Sequence, residues 1–358
     1  MSGPELDRAI AVPTLVDSVR LEADGVHILD RRCFPFGTEW VRCSDVSEVA
    51  VAIEQMVTQS SGPYFAVLWA MVLAARQAAG LPAAEARTAL ERAGSRLIDT
   101  RRTNNQLHKA VAIVLAAVDA AGPVTGAELV AATEAGARAG DERYRARSRA
   151  LGEHAARLIG DGDQVLTHCW GDLFLVETVT AALRAGKTMR FLCTETRPYL
   201  QGARLTAHSL AELGVDTTVI PDGAGATLLA SATVDLLLTA ADRVSMDGCV
   251  VNKVGTLGLA VAASTFGVPY YALVQAPDRF ARTGADVPIE YRAGDEALYA
   301  LGTRTASERV RGLVPAFDVT PPRFVTAVVT DRGAFPADGL AGYFAAGADT
   351  LAGRQVPA

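Results

Sequence analysis

Three short segments concentrate residue types that can do chemistry: T-H-C-W-G-D (Thr167 to Asp172), A-A-D-R-V-S-M-D-G (Ala240 to Gly248) and V-N-K-V-G-T (Val251 to Thr256). The first two follow apolar runs of strand length, and in open parallel sheets ligands sit at the carboxyl ends of the strands, near the switch in strand order. Cys169 there offers a thiol or thiolate, and a helix starting just after the strand would help hold the anion. The plain alternative is a buried, inert cysteine. A carboxyl such as Asp242, if set in an apolar and water-poor pocket, keeps its proton to higher pH and can donate it. Otherwise it caps a helix or pairs with Arg243. Asp172 and Asp247 read as capping or turn residues. Lys253 is either a ligand contact or a solvated charge at a helix start. Gln201 lies in a fourth polar segment, E-T-R-P-Y-L-Q-G-A-R-L-T-A (Glu195 to Ala207).

These segments need a sheet to position them. After Gly160 short apolar runs alternate with helical stretches: Q-V-L-T-H, M-R-F-L-C, T-T-V-I, D-L-L-L-T-A and Y-Y-A-L-V. Such alternation predicts βαβ units and a parallel sheet covered by helices. Before it, from Val46 to about Gly160, alanine-rich sequence carries apolar residues at helical spacing, as in A-V-A-I-E-Q-M-V. The expected architecture is α/β: a mainly helical N-terminal domain (1–124), a connecting helix (125–160) and a Rossmann-like catalytic domain (161–358). The last residues, A-G-R-Q-V-P-A, read as a frayed end.

Composition narrows the function classes. With 358 residues the chain can form about two domains with a cleft between them. Its net charge of -6, without a long basic run, gives no footprint for nucleic acid, so a small-molecule partner is expected. Cys33, Cys43, Cys169, Cys193 and Cys249 form no C-x-x-C pair, and the histidines show no metal-type spacing with them. Neither a metal nor a disulfide framework is expected. The N-terminus lacks a signal-peptide apolar stretch, and no apolar run is long enough to span a membrane, which predicts a cytoplasmic protein.

With G-A-D-V-P-I-E-Y-R (Gly284 to Arg292) and P-A-F-D-V-T-P (Pro315 to Pro321), the four polar segments resemble the methylthioribose-1-phosphate isomerases, relatives of the regulatory subunits of translation initiation factor 2B. I-L-D-R-R-C-F-P-F and A-I-E-Q-M-V extend the likeness into the N-terminal half. The resemblance implies a methionine-salvage reaction: aldose-to-ketose conversion of a 5-substituted ribose 1-phosphate, without cofactor or metal, in a homodimer. It identifies Cys169 as the catalytic cysteine and Asp242 as the acid/base aspartate. Gln201, Asn252 and Lys253 match substrate-contacting positions that fix the open-chain hydroxyls. Arg101 lines up with a phosphate-binding arginine, a role its neighbour Arg102 can also take. His168 matches a packing position.

The chain departs from this pattern near the ligand. Where the family's phosphate loop reads Arg-Gly-Ala-Pro, this sequence has T-Q-S-S-G-P-Y-F (Thr58 to Phe65), so one charge-assisted contact is lost. Ser60, Ser61 and the backbone at Gly62 remain as neutral donors. Trp170 replaces a small or amide residue, and Asp222 is followed by Gly-Ala-Gly. A modified pentose phosphate, 5-deoxy or 5-halo for example, is the substrate these changes suggest. Two other readings compete: a non-catalytic sensor of sugar phosphate or nucleotide on the same fold, and a ribose-1,5-bisphosphate isomerase. The first has no need of both Cys169 and Asp242, and the second needs another anion site that no Arg/Lys cluster supplies.

Overall fold

A small sheet precedes the helices of the N-terminal half. The computed structural model describes residues 10–101 and 105–345, so Arg102 and the terminal A-G-R-Q-V-P-A lie outside the described residues. Ala11–Arg147 forms one compact unit and the described residues from Ser148 to Ala345 belong to another. In the first, β1 (Val19–Glu22), β2 (Gly25–Leu29) and β3 (Trp40–Cys43) make an antiparallel sheet in that order. These strands are too short for an alternating pattern to stand out in sequence.

The helices of this unit are α1 (Val46–Glu54), α2 (Gly62–Ala78), α3 (Ala83–Ile98), α4 (Asn105–Ala121) and α5 (Gly126–Ala156). At the start of α1 the Asp45 carboxylate accepts the Glu48 N–H at 2.8 Å, and Glu48 in turn accepts the Ser44 N–H at 2.6 Å. Two backbone donors that the first turn leaves open are thereby satisfied. α2 is apolar on all sides and buried along nearly its whole length, so it forms the centre of the unit. α5 is one unbroken helix of 31 residues, and the division between the two units falls within it.

From Asp163 the chain alternates strand and helix: β4 (Asp163–Thr167), α6 (Asp172–Arg184), β5 (Met189–Thr194), α7 (Ala207–Glu212), β6 (Asp216–Ile220), α8 (Gly225–Ala230) and β7 (Leu236–Ala240). It continues through β8 (Arg243–Val244), β9 (Val250–Lys253), α9 (Thr256–Thr265) and β10 (Tyr270–Leu273). Four two-residue strands follow, β11 (Tyr291–Arg292), β12 (Tyr299–Ala300), β13 (Thr303–Arg304) and β14 (Val314–Pro315). β15 (Phe317–Thr320), β16 (Ala327–Thr330), β17 (Gly333–Phe335) and α10 (Ala341–Ala345) complete the described chain.

The main sheet has seven strands in the order β17-β16-β10-β7-β4-β5-β6. All neighbours are parallel except β17, which runs antiparallel to β16 at the edge. All five apolar runs read from the sequence are strands of this sheet; the central ones are largely buried, while β6 at the edge is mostly exposed. β15, β9 and β8 form a separate antiparallel sheet, with Asn252 opposite Asp318 and Lys253 opposite Phe317. Among the described residues no helix is long and apolar enough to cross a membrane.

Candidate active site

The strand order reverses at the β4–β7 pair: β5 and β6 extend the sheet on one side of it, β10 and β16 on the other. Cys169 lies just beyond the end of β4 and Asp242 just beyond the end of β7, so the two groups flank the switch point.

Cys169 and Asp172 both adopt left-handed backbone, with φ of 67° and 48°. For residues with a Cβ this costs about 1–2 kcal/mol each and persists only where the surroundings over-determine it. The restraint on Cys169 comes from two threonines. Its N–H donates to Thr196 Oγ1 at 2.9 Å, and its carbonyl accepts the Thr206 hydroxyl at 2.5 Å. Both threonines belong to the segment after β5, which is itself tied down. The Asp222 carboxylate accepts the N–H groups of Thr196 and Arg197 at 2.7 Å each. The Arg197 guanidinium donates to the carbonyls of Tyr299 (2.8 Å) and Ala297 (3.1 Å), and the Tyr199 hydroxyl donates to Glu296. Gln201, buried, stands at the end of this braced loop.

Burial pushes the Cys169 thiol up to about 11; the Lys253 ammonium and the Trp170 backbone N–H draw it down, while Asp242 and Asp222 push it up. At neutral pH the group is therefore a thiol. Lys253 is only 6% exposed, makes no ion pair among the described residues, and lies against the rings of Tyr199 (5.5 Å) and Phe317 (4.8 Å). It is the last residue of β9 rather than a solvated charge at a helix start. The buried Asn252 amide donates to Thr256 Oγ1 at 3.0 Å, and that hydroxyl donates to the Lys253 carbonyl at 2.7 Å. Trp170 is also buried, and its indole N–H meets no acceptor among the described residues.

Asp242 corrects one expectation. Its side chain is exposed, not enclosed in a water-poor pocket, although its backbone N–H donates to the Val251 carbonyl at 3.0 Å. Nor does it pair with Arg243, whose guanidinium is taken by Asp278. Asp247 is a turn residue, its carboxylate accepting the Ser245 hydroxyl at 2.5 Å and the Cys249 N–H at 3.2 Å.

Ser61, Gly62 and Arg101 belong to the unit Ala11–Arg147. Ser61 is buried and immediately precedes α2. A Cβ on Gly62 would fall 1.8 Å from Thr58 Oγ1, so any larger residue there must displace the buried Thr58 side chain. Arg101 ends a 3-10 turn after α3, half-buried, its guanidinium against the Met56 sulfur. In the same unit the hairpin residues Glu22, Asp24 and His27 bring metal-capable atoms within 4.8 Å of one another. His27 already bonds Asp24 at 2.9 Å, and Arg42 stands 3.8 Å from that carboxylate.

The sequence model described as the initiation factor 2 subunit family matches residues 62–337. The chain belongs to this family. The relatives of this initiation factor 2 subunit family member include methylthioribose-1-phosphate isomerases. That of Chloroflexus aurantiacus is 36% identical over 324 residues, 87% of this chain and 93% of that protein. That of Stenotrophomonas maltophilia is 38% identical over 322 residues, 87% of this chain and 89% of that protein. Among solved structures, 5-methylthioribose 1-phosphate isomerase from Pyrococcus horikoshii superposes with a TM-score of 0.81 at 29% identity, covering 94% of this chain and 98% of that one. Translation initiation factor eIF-2B subunit delta from A. fulgidus gives 0.75 at 31% identity, covering 89% and 95%.

Three residues of this family member lie within the quoted segments but were given no site role from sequence. The His168 ring is buried, with Nε2 2.9 Å from the Val254 carbonyl and Nδ1 2.6 Å from Thr194 Oγ1. A carbonyl only accepts, so Nε2 carries the proton; burial lowers the affinity of the ring for a second one, and Nδ1 accepts from the threonine. The Asp318 carboxylate accepts the Gly255 N–H at 2.7 Å and the Leu257 N–H at 3.1 Å at the start of α9. Burial pushes it up to about 6 against those hydrogen bonds and the Lys253 charge. Arg31, fully buried, donates to the Gln59 carbonyl at 2.5 Å and to Ser18 Oγ at 2.8 Å, which sets a guanidinium beside the Thr58–Gly62 loop. All three act across distances in sequence that no local pattern encodes.

Proposed function

We propose that the chain isomerises a 5-substituted ribose 1-phosphate, 5-methylthioribose 1-phosphate or a close analogue, to the corresponding ribulose 1-phosphate. The observation that carries this reading is the pair of strand tips: a protonated thiol at the end of β4 and a carboxyl at the end of β7, flanking the switch point, with a buried ammonium near the thiol.

The chemistry has three parts. The bond between C1 and the ring oxygen breaks and that oxygen takes a proton, a hydrogen passes from C2 to C1, and the C2 hydroxyl loses its proton as the ketone forms. Asp242 handles protons on oxygen and Cys169 works at C2. Gln201, Asn252 and Lys253 hold the open chain, with the Lys253 ammonium facing its oxygen-rich side. Ser61, Gly62 and Arg101 take the phosphate. Trp170 limits what the C5 substituent can be.

Carbon NMR of pure protein with 5-methylthioribose 1-phosphate, 5-deoxyribose 1-phosphate and ribose 1,5-bisphosphate tests the proposal. Ketose should form from at least one of the first two. Turnover of the bisphosphate alone would assign the other isomerase reaction, and binding without turnover in all three would favour a sensor of the eIF-2B kind.

A further inference from the structure

The turn Asn252–Leu257 is held from two sides by groups to which the sequence assigned no catalytic or binding role. On one side Asp318, in the strand opposite, accepts the N–H groups of Gly255 and Leu257. On the other, His168 donates to the Val254 carbonyl, and its ring packs so tightly on Gly255 that a Cβ there would fall 2.9 Å from it. Gly255, with φ of 110°, is the backbone point where both grips meet. Within the turn, Thr256 ties the Asn252 amide to the Lys253 carbonyl. The backbone around Lys253 is thereby tied down, while among the described residues its ammonium lies against two aromatic faces and feels the Asp318 carboxylate. An ammonium with no ion-pair partner has no reason to stay buried unless its backbone holds it there.

We propose that Asp318 is a positioning residue: with His168 it locks the Asn252–Leu257 turn so that the Lys253 ammonium stays beside the Cys169 thiol. The proposal rests on the reading of Cys169 and Lys253 as site residues, but its test does not require turnover. The charged groups that act on Cys169 are Lys253, Asp242 and Asp222. Asp318 is not among them, and its influence on the thiol runs through the position of Lys253.

The experiment compares alkylation of Cys169 by iodoacetate and by iodoacetamide at pH 8, counted by peptide mass spectrometry in the full chain. The anionic reagent is favoured by a nearby ammonium, and the ratio of the two rates cancels changes in access. Lys253→Met should lower the ratio about three- to tenfold, the effect of one unit charge acting on the sulfur through a strongly screened medium. Asp318→Asn should lower it in the same direction although it removes a negative charge, because the ammonium drifts away. Thr256→Val, which changes no charge, should do likewise and covers the case in which Asp318→Asn fails to fold. A ratio that stays or rises in Asp318→Asn or Thr256→Val, with Lys253→Met lowering it, overturns the positioning role. No change in Lys253→Met overturns the coupling itself. Turnover measured on the same variants addresses the isomerase reading separately.

Discussion

Gly255→Ala is the substitution whose cost the structure specifies most fully. The position has φ of 110°, and a methyl group would come 2.9 Å from Cε1 and 3.0 Å from Nε2 of His168. The backbone conformation alone costs an alanine about 1–2 kcal/mol. The steric part adds about 1–3 kcal/mol, since the ring cannot move aside without straining its bonds to Val254 and Thr194. Gly214→Ala isolates the first part: its φ is 78° and nothing lies within 4 Å of its Cβ. Urea unfolding, followed by Trp170 fluorescence in a Trp40→Phe, Trp69→Phe background, should show Gly214→Ala losing about 1–2 kcal/mol and Gly255→Ala about 2–5 kcal/mol. Equal losses would mean that the His168 ring is not fixed, and would remove one of the two grips on the Lys253 turn.

Cys169→Ser and Asp242→Asn should each lower kcat by about 10²- to 10⁴-fold with the fold intact by circular dichroism; full activity in either rejects its acid/base role. Gly62→Ala should destabilise the chain by about 1–3 kcal/mol, as a methyl displaces the buried Thr58 side chain, and a neutral result in thermal unfolding would show that the loop adapts. Asp318 has a pH signature of fixed sign. Its carboxyl is pushed up to about 6 from an ordinary 3.8, so its contribution to stability is complete below pH 4 and lost as pH rises through 6. Wild type minus Asp318→Asn should fall by at most about 3 kcal/mol over that window, less because the group is only partly buried. A difference that grows with pH would show the hydrogen bonds from Gly255 and Leu257 outweighing burial.

The parallel sheet was legible because its central strands are buried on both faces and read as short continuous apolar runs, D-L-L-L-T-A most plainly, while the exposed edge strand β6 was read from T-T-V-I. The polar residues after those runs could be named without knowing the strand order. That Cys169 and Asp242 end neighbouring strands at the reversal was decided by the tertiary structure, since pairing of β4 with β7 joins residues about seventy apart. The same holds for the exposure of Asp242, which depends on which distant segments pack around the end of β7. Local sequence sets the apolar period and the turn residues; burial, and with it the charge state of Cys169, His168 and Asp318, is a sum over neighbours brought in from distant segments. Lys253 shows the difference most clearly: the sequence offers a lysine before a glycine, and only β9, β15 and the end of β4 together make it a buried cation beside a thiol.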